Sequence, residues 1–188
     1  MDSFANNDNL KAISEQYEPV VLLNIHNSKD CSLIDSYLPD SLNVKVSENG
    51  LGSELFDLCI LDDKAFHRNK EQIEKLKNDS APIFCPVLVL SKNKASARGS
   101  SSILEYADDV IYVPARKQIL QSRIEMLLKQ RKYSLQLKQK NEELEEKNKQ
   151  LRIYRQALDA TETGVLITDA TQDDNPAIYC NKGFEEMT

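Results

Sequence analysis

Residues 57–63 read DLCILDD, an unbroken apolar run from Leu58 to Leu61 that ends in two acidic side chains. Short apolar runs rich in branched side chains are typical of strands that are buried on both faces. Comparable runs precede and follow it, so we predict five strands, with this one third. The other four are Val20–Leu23, Leu42–Val46, Pro86–Leu90 and Val110–Val113.

Stretches with helical spacing alternate with these strands. We predict helices at Asp30–Leu38, Ala65–Lys77, Ala95–Tyr106 (weak, because it contains Gly99 and consecutive serines) and from Ala115 to Leu158. This alternation predicts an α/β fold with a doubly wound parallel sheet, whose functional crevice lies beyond the carboxyl ends of the strands. The residues predicted there are Asn24–Asn27, Asp62, Asp63, Ser91, Lys92, Val113 and Pro114.

Three segments together resemble the receiver domain of two-component response regulators. They are DLCILD (57–62), PVLVLS (86–91) and EYADDVIYVP (105–114), within residues 17–130. The resemblance implies a flavodoxin-like, receiver-like fold, with Asp62 as the candidate phosphoacceptor and Ser91 as the accompanying hydroxyl.

The chain departs from the receiver pattern where Mg²⁺ would bind. A working receiver places an acidic pair after its first strand, whereas this chain has Asn24, Ile25, His26 and Asn27 there, and the nearest carboxylate is Asp30. The lysine expected after the fifth strand is Val113. Because Mg²⁺ requires hard oxygen ligands in a tight octahedron, we expect no metal and a vestigial site. In the alternative, Asp62 accepts phosphate and Asp63 or His26 completes a magnesium site.

A heptad pattern follows the predicted sheet domain. Leu137, Leu144, Leu151 and Leu158 occupy d, and polar residues, including Ser134, Asn141 and Asn148, occupy a. Leu at d with Asn at a favours a parallel two-stranded coiled coil in one register. The alternative is an amphipathic helix that packs on its own domain. Earlier in the same helix, the residues predicted to face the sheet are Ile119, Leu120, Ile124, Leu127 and Leu128.

The segment ALDATETGVLITDATQDDNPAIYCNKGFEEMT (157–188) resembles the beginning of a PAS sensory domain. It predicts strands at Val165–Ile167 and Ile178–Cys180 and a short helix after Asn181. The resemblance implies a truncated α+β segment. We assign no photochemistry to Cys180, because it does not lie in the motif that carries a flavin-reactive cysteine.

The predicted organisation is a flexible arm (1–16), a receiver-like domain (17–130), a coiled-coil linker (131–158) and the start of a PAS domain (159–188). The formal net charge of −6 disfavours nucleic acid and anionic membranes as partners, and no apolar run is long enough to cross a bilayer. The four separated cysteines lack metal-binding spacing and indicate a reducing cytoplasm. His67 is expected on the surface, whereas His26 is either a loop residue or a ligand or pH sensor.

Three functional hypotheses follow. The first is a regulatory and dimerisation region of a multidomain bacterial-type signalling protein, a sensor histidine kinase or a cyclic-di-GMP enzyme, in which the fragment itself is not catalytic and needs no cofactor. The second is a phosphorylatable receiver that accepts phosphate on Asp62 from a histidine kinase, with Mg²⁺. The third is a non-signalling scaffold on a coiled coil.

Overall fold

The computed structural model describes residues 18–48, 50–52, 55–92 and 101–187. It comprises two units, which we call the sheet unit (Met1–Gln136) and the C-terminal unit (Leu137–Thr188). The predicted arm at residues 1–16 and the first part of the predicted weak helix, residues 95–100, lie outside the described residues.

The sheet unit contains five parallel strands in the order β2-β1-β3-β4-β5, which confirms the predicted doubly wound α/β fold. Each strand differs from its predicted bounds by one residue at one or both ends. The strands are β1 (Val20–Asn24), β2 (Asn43–Val46), β3 (Leu58–Asp62), β4 (Val87–Ser91) and β5 (Asp109–Tyr112).

Helices cover both faces of this sheet. They are α1 (Ser28–Asp35), α2 (Asp63–Arg68), α3 (Lys70–Ser80), α4 (Ser101–Tyr106) and α5 (Lys117–Asp159). The single helix predicted at Ala65–Lys77 is wrong, because α2 ends before Asn69 and α3 begins after it. The buried Asn69 side chain donates to the carbonyl of Ala65 at 2.8 Å. Asn side chains that bond nearby backbone in this way compete with helix continuation.

Successive residues of the central strands enter two different cores. Val21 and Leu23 pack with α1 and α5, whereas Leu22 packs with α2 and α3 on the opposite face. This alternation explains why each strand reads as a continuous apolar run. The prediction that Ile119 faces the sheet is wrong, since it is 49% exposed while its neighbour Leu120 is buried. The helical period selects Leu120 and residues three or four positions on, Ile124 and Leu127, for the sheet face.

The C-terminal unit contains the second part of α5, then β6 (Leu166–Thr168), β7 (Ala177–Cys180) and α6 (Lys182–Met187). The strands β6 and β7 form an antiparallel pair. Asn181 is fully buried, and its side chain connects the parts of this unit through five hydrogen bonds. It accepts from the amides of Val165 and Phe184 and donates to Leu158, Thr161 and Thr163.

Among the described residues, no helix combines the length and the hydropathy that crossing a bilayer requires.

Candidate functional site

Asp62 lies at the carboxyl end of β3, at the crevice edge where the sequence placed it. Its Oδ1 accepts a hydrogen bond from the amide of Ala65 at 2.7 Å, so the side chain caps the start of α2. Its Oδ2 accepts from the amide of His26 at 2.9 Å. Both carboxylate oxygens therefore connect Asp62 to backbone, joining β3 to the end of β1.

Ser91 and Asp63 pair with each other. The Ser91 hydroxyl donates to Oδ2 of Asp63 at 2.9 Å, and the amide of Lys92 donates to the same oxygen at 3.3 Å. Among the described residues, the buried Oδ1 of Asp63 accepts no hydrogen bond. The candidate hydroxyl thus has a carboxylate partner, but that partner is the neighbour of the candidate phosphoacceptor.

Sequence reasoning missed an ion pair that lies across this edge of the sheet. Nζ of Lys92 is 2.7 Å from Oδ2 of Asp30, which joins the end of β4 to α1. The hydrogen bond and the negative charge of Asp30 raise the pKa of Lys92. The available signal was a lysine directly after the fourth strand and a carboxylate just beyond the first. Their proximity, however, requires strands that are distant in sequence to be neighbours.

Asn24 and His26, which follow or end β1, have structural contacts. The buried Asn24 amide donates to the carbonyl of Gly50 at 2.8 Å. Gly50 has φ +105, and a Cβ there would lie 3.2 Å from Oε1 of Gln72, so a side chain would be strained. The exposed His26 ring contacts Arg68 at 3.1 Å through Nδ1. Because a guanidinium only donates, Nδ1 accepts in this contact.

These side chains do not fit a magnesium ion. Asp62 accepts from two amides and the Asp30 charge is neutralised by an ammonium group, so the two do not provide the set of open oxygens that the Mg²⁺ octahedron requires. Asn24, at the carboxyl end of β1, carries no charge, and its side-chain amide donates to the carbonyl of Gly50. No group of three or more His, Cys, Asp or Glu side chains in the described part of the chain is arranged to hold a metal.

The predicted seam residues lie on α5 beyond the sheet unit. Leu137, Leu144 and Leu151 are 62%, 57% and 63% exposed within one chain, and Asn141 and Asn148 are exposed beside them. Leu158 is half-buried near the end of the helix. The heptad position assigned to Ser134 is used differently, because its hydroxyl accepts from the amide of Phe84 at 3.0 Å within the sheet unit. The exposed leucine stripe therefore begins at Leu137.

Cys31, Cys59 and Cys85 are buried and Cys180 is partly exposed, and all four are free thiols. Burial raises the pKa of Cys59 and of Cys85. Burial also raises the pKa of Cys31, and the carboxylates of Asp35 and Glu48 add to that shift.

No family model matches the chain, and no curated protein matches it either. Its similarities are to solved structures. A CheY-like receiver domain protein from Methanospirillum hungatei is 18% identical, with 62% of this chain and 98% of that chain covered and a TM-score of 0.52. A response regulator from Thermotoga maritima is 21% identical, with coverage of 60% and 99% and a TM-score of 0.51.

A third similar structure is a fusion that contains a yeast Spc42 trimeric coiled coil. It is 15% identical, with 74% of this chain and 94% of that chain covered and a TM-score of 0.54. At these identities the likenesses concern the fold. The sheet unit has the five-stranded parallel fold of response-regulator receiver domains, and a long helix follows it.

Proposed function

We propose that this chain is a regulatory and dimerisation region of a multidomain bacterial-type signalling protein, and that its receiver-like domain works without magnesium-dependent phosphorylation. The observation that carries the proposal is the use of Asp62. Both of its oxygens accept backbone hydrogen bonds, and the carboxylate Asp30 nearby is paired with Lys92. Such a site provides fixed links between strands and offers no open oxygen cage for Mg²⁺.

In this proposal α5 carries the signal away from the sheet domain. One helix of 43 residues packs against the sheet through Leu120, Ile124 and Leu127 and then presents the leucine stripe that begins at Leu137. Pairing of two stripes as a parallel coiled coil from Leu137 to Leu158 would join two copies, since the start of the predicted linker 131–158 bonds the sheet unit through Arg131 and Ser134. A change in the sheet domain would then alter the arrangement of the paired helices.

We further propose that residues 159–188 begin a PAS domain. The antiparallel β6–β7 pair and the buried Asn181 that bonds the end of α5 support a compact sensory segment at this position. A cytoplasmic sensor histidine kinase or cyclic-di-GMP enzyme is the kind of parent protein that this order of segments suits. A histidine kinase or another signalling protein would be the partner of the sheet domain.

The phosphorylation part is tested with acetyl phosphate and Mg²⁺ on the full chain. We expect intact-mass spectrometry to detect no adduct, with an active receiver domain in the same buffer as positive control. An adduct that is absent in Asp62→Asn would overturn the proposal. It would establish the second candidate, a phosphorylatable receiver, for which the position of Asp62 at the edge of β3 is the favouring observation.

The dimer part is tested by sedimentation of two matched variants. Leu144→Asp places a charge in the stripe and should convert the dimer to monomer. Ile153→Asp is the control, because Ile153 is a comparably exposed aliphatic residue at heptad position f, outside the stripe. A dimer that survives Leu144→Asp would mean that the copies associate elsewhere or that the helix stays single.

The third candidate, a scaffold without a signalling role, is separated by the output of the complete protein. Deletion of residues 1–130 should change the regulation of that output if the sheet domain signals. Unchanged regulation would favour a scaffold.

A further inference from the structure

The sheet unit contains a cavity of about 380 Å³ between the carboxyl edge of the sheet, α1 and the start of α5. Most of its wall is apolar, and Leu90, Ile111 and Leu120 form a buried floor. Tyr37 and Ala115 also line it. Its volume lies within the range of about 300–1,000 Å³ that is usual for small-molecule sites.

Contacts between α5 and Tyr37, which follows α1, connect two walls of this cavity. The Gln121 amide donates to the carbonyl of Tyr37 at 2.8 Å, and the Lys117 ammonium lies 5.8 Å from the centre of the Tyr37 ring. These links fix the aromatic wall relative to the helix that carries Leu120. The walls of the cavity are therefore connected by the contacts of Gln121 and Lys117 with Tyr37.

The charged groups that line the cavity are two carboxylates and one ammonium group. Asp30 and Asp62 contribute two negative charges and Lys92 one positive charge, which leaves one net negative charge. Lys92 is already bonded to Asp30 at 2.7 Å. Each carboxylate oxygen can accept more than one hydrogen bond, so Asp30 and Asp62 retain acceptor capacity for a donor. A few polar groups on an apolar wall are the usual features that orient a bound ligand.

We propose that this cavity binds a small amine with an apolar body. The ring or alkyl portion would contact Leu90, Ile111 and Leu120, and the ammonium group would bond the carboxylates of Asp30 and Asp62. A ligand carboxylate is disfavoured by the net charge and would share the Lys92 ammonium group with Asp30. The proposal is independent of the coiled coil, because it concerns binding to the sheet unit of a single chain.

The experiment compares three probes of nearly the same shape on the full chain by isothermal titration: 2-phenylethylamine, 2-phenylethanol and 3-phenylpropanoate. We expect the amine to bind about fivefold more tightly than the alcohol, the effect of one unit charge at about 4 Å in a water-like medium. The propanoate should bind most weakly. Asp30→Asn should reduce the difference in binding affinity between the amine and the alcohol.

A filling variant locates the binding. Ala115→Met should abolish binding of all three probes by placing a side chain in the cavity, whereas Ile119→Met, on the exposed side of α5, should leave it unchanged. Circular dichroism tests whether both variants fold. If Ala115→Met does not fold, the Asp30→Asn comparison still tests the proposal.

Amine binding that survives in folded Ala115→Met would overturn the proposal. Equal binding of propanoate and amine, or no saturable binding of any probe, would also do so. If none of the three probes binds the unsubstituted chain and Ala115→Met changes the oligomeric state, the proposal is also overturned and the cavity is assigned to a protein partner.

Discussion

The contact between Arg131 and Asp57 allows a quantitative prediction about how α5 is attached to the sheet. Nε of Arg131 lies 3.4 Å from Oδ1 of Asp57, and both side chains are 14% exposed. The same guanidinium donates to the carbonyl of Phe84 at 2.9 Å, and Oδ2 of Asp57 accepts from the amide of Val20 at 3.0 Å. Arg131 therefore joins the last part of the helix in the sheet unit to the loops at the start of β3 and β4.

We expect Arg131→Met to destabilise the sheet unit by about 2–3 kcal/mol. Removing one partner of a fully buried pair costs about 3–5 kcal/mol, because the other charge is left unpaired. The 3.4 Å separation and the remaining bond from Val20 to Asp57 reduce that figure. The lost bond to the Phe84 carbonyl is charge-assisted and belongs to a class worth about 1.5–3 kcal/mol.

Hydrogen exchange under native conditions measures this change in β1 and β4, where the most protected amides report the opening of the sheet unit. Lys92→Met is the matched control within the same unit, because the side chains of the ion pair between Lys92 and Asp30 are 72% and 39% exposed. The loss of this exposed pair should leave the protection of these amides nearly unchanged. Equal effects of the two variants would refute the reasoning, since burial would then make no difference. A double-mutant cycle with Asp57→Asn isolates the pairwise part.

Two further predictions concern the cysteines and Asn181. In the native protein at pH 8, iodoacetamide should modify Cys180 first, whereas Cys59 should react only after denaturation, because burial raises the pKa of the Cys59 thiol and leaves little thiolate. Peptide mass spectrometry measures both reactions, and similar rates in the native protein would contradict the burial of Cys59. Asn181→Ala should remove the protection of the β6 and β7 amides from hydrogen exchange and destabilise the C-terminal unit by about 3 kcal/mol, because it leaves several backbone groups without partners. Protection that persists in this variant would show that Asn181 is dispensable.

Local pattern was sufficient for much of this fold. Each apolar run that becomes a strand is recognisable because both faces of the sheet are covered, and the alternation with helices is enough to predict parallel pairing. The predicted end of the long helix at Leu158 agrees with the end of α5 at Asp159 to within one residue. The leucines that form the exposed stripe on α5 can be identified from their seven-residue spacing alone. The single helix predicted at Ala65–Lys77 failed because one side chain, that of Asn69, bonds nearby backbone and separates α2 from α3.

The candidate site depended on tertiary structure. The sequence alone placed Asp62, Ser91 and the positions without acidic residues at one edge of a sheet, because those positions follow from strand ends. It did not determine that Ser91 would bond Asp63 or that Lys92 would reach Asp30, 62 positions earlier. Those partners are chosen by which strands are neighbours and by how each helix leaves its strand. Side-chain distances of a few ångströms between segments so far apart in sequence are set only when the whole sheet forms.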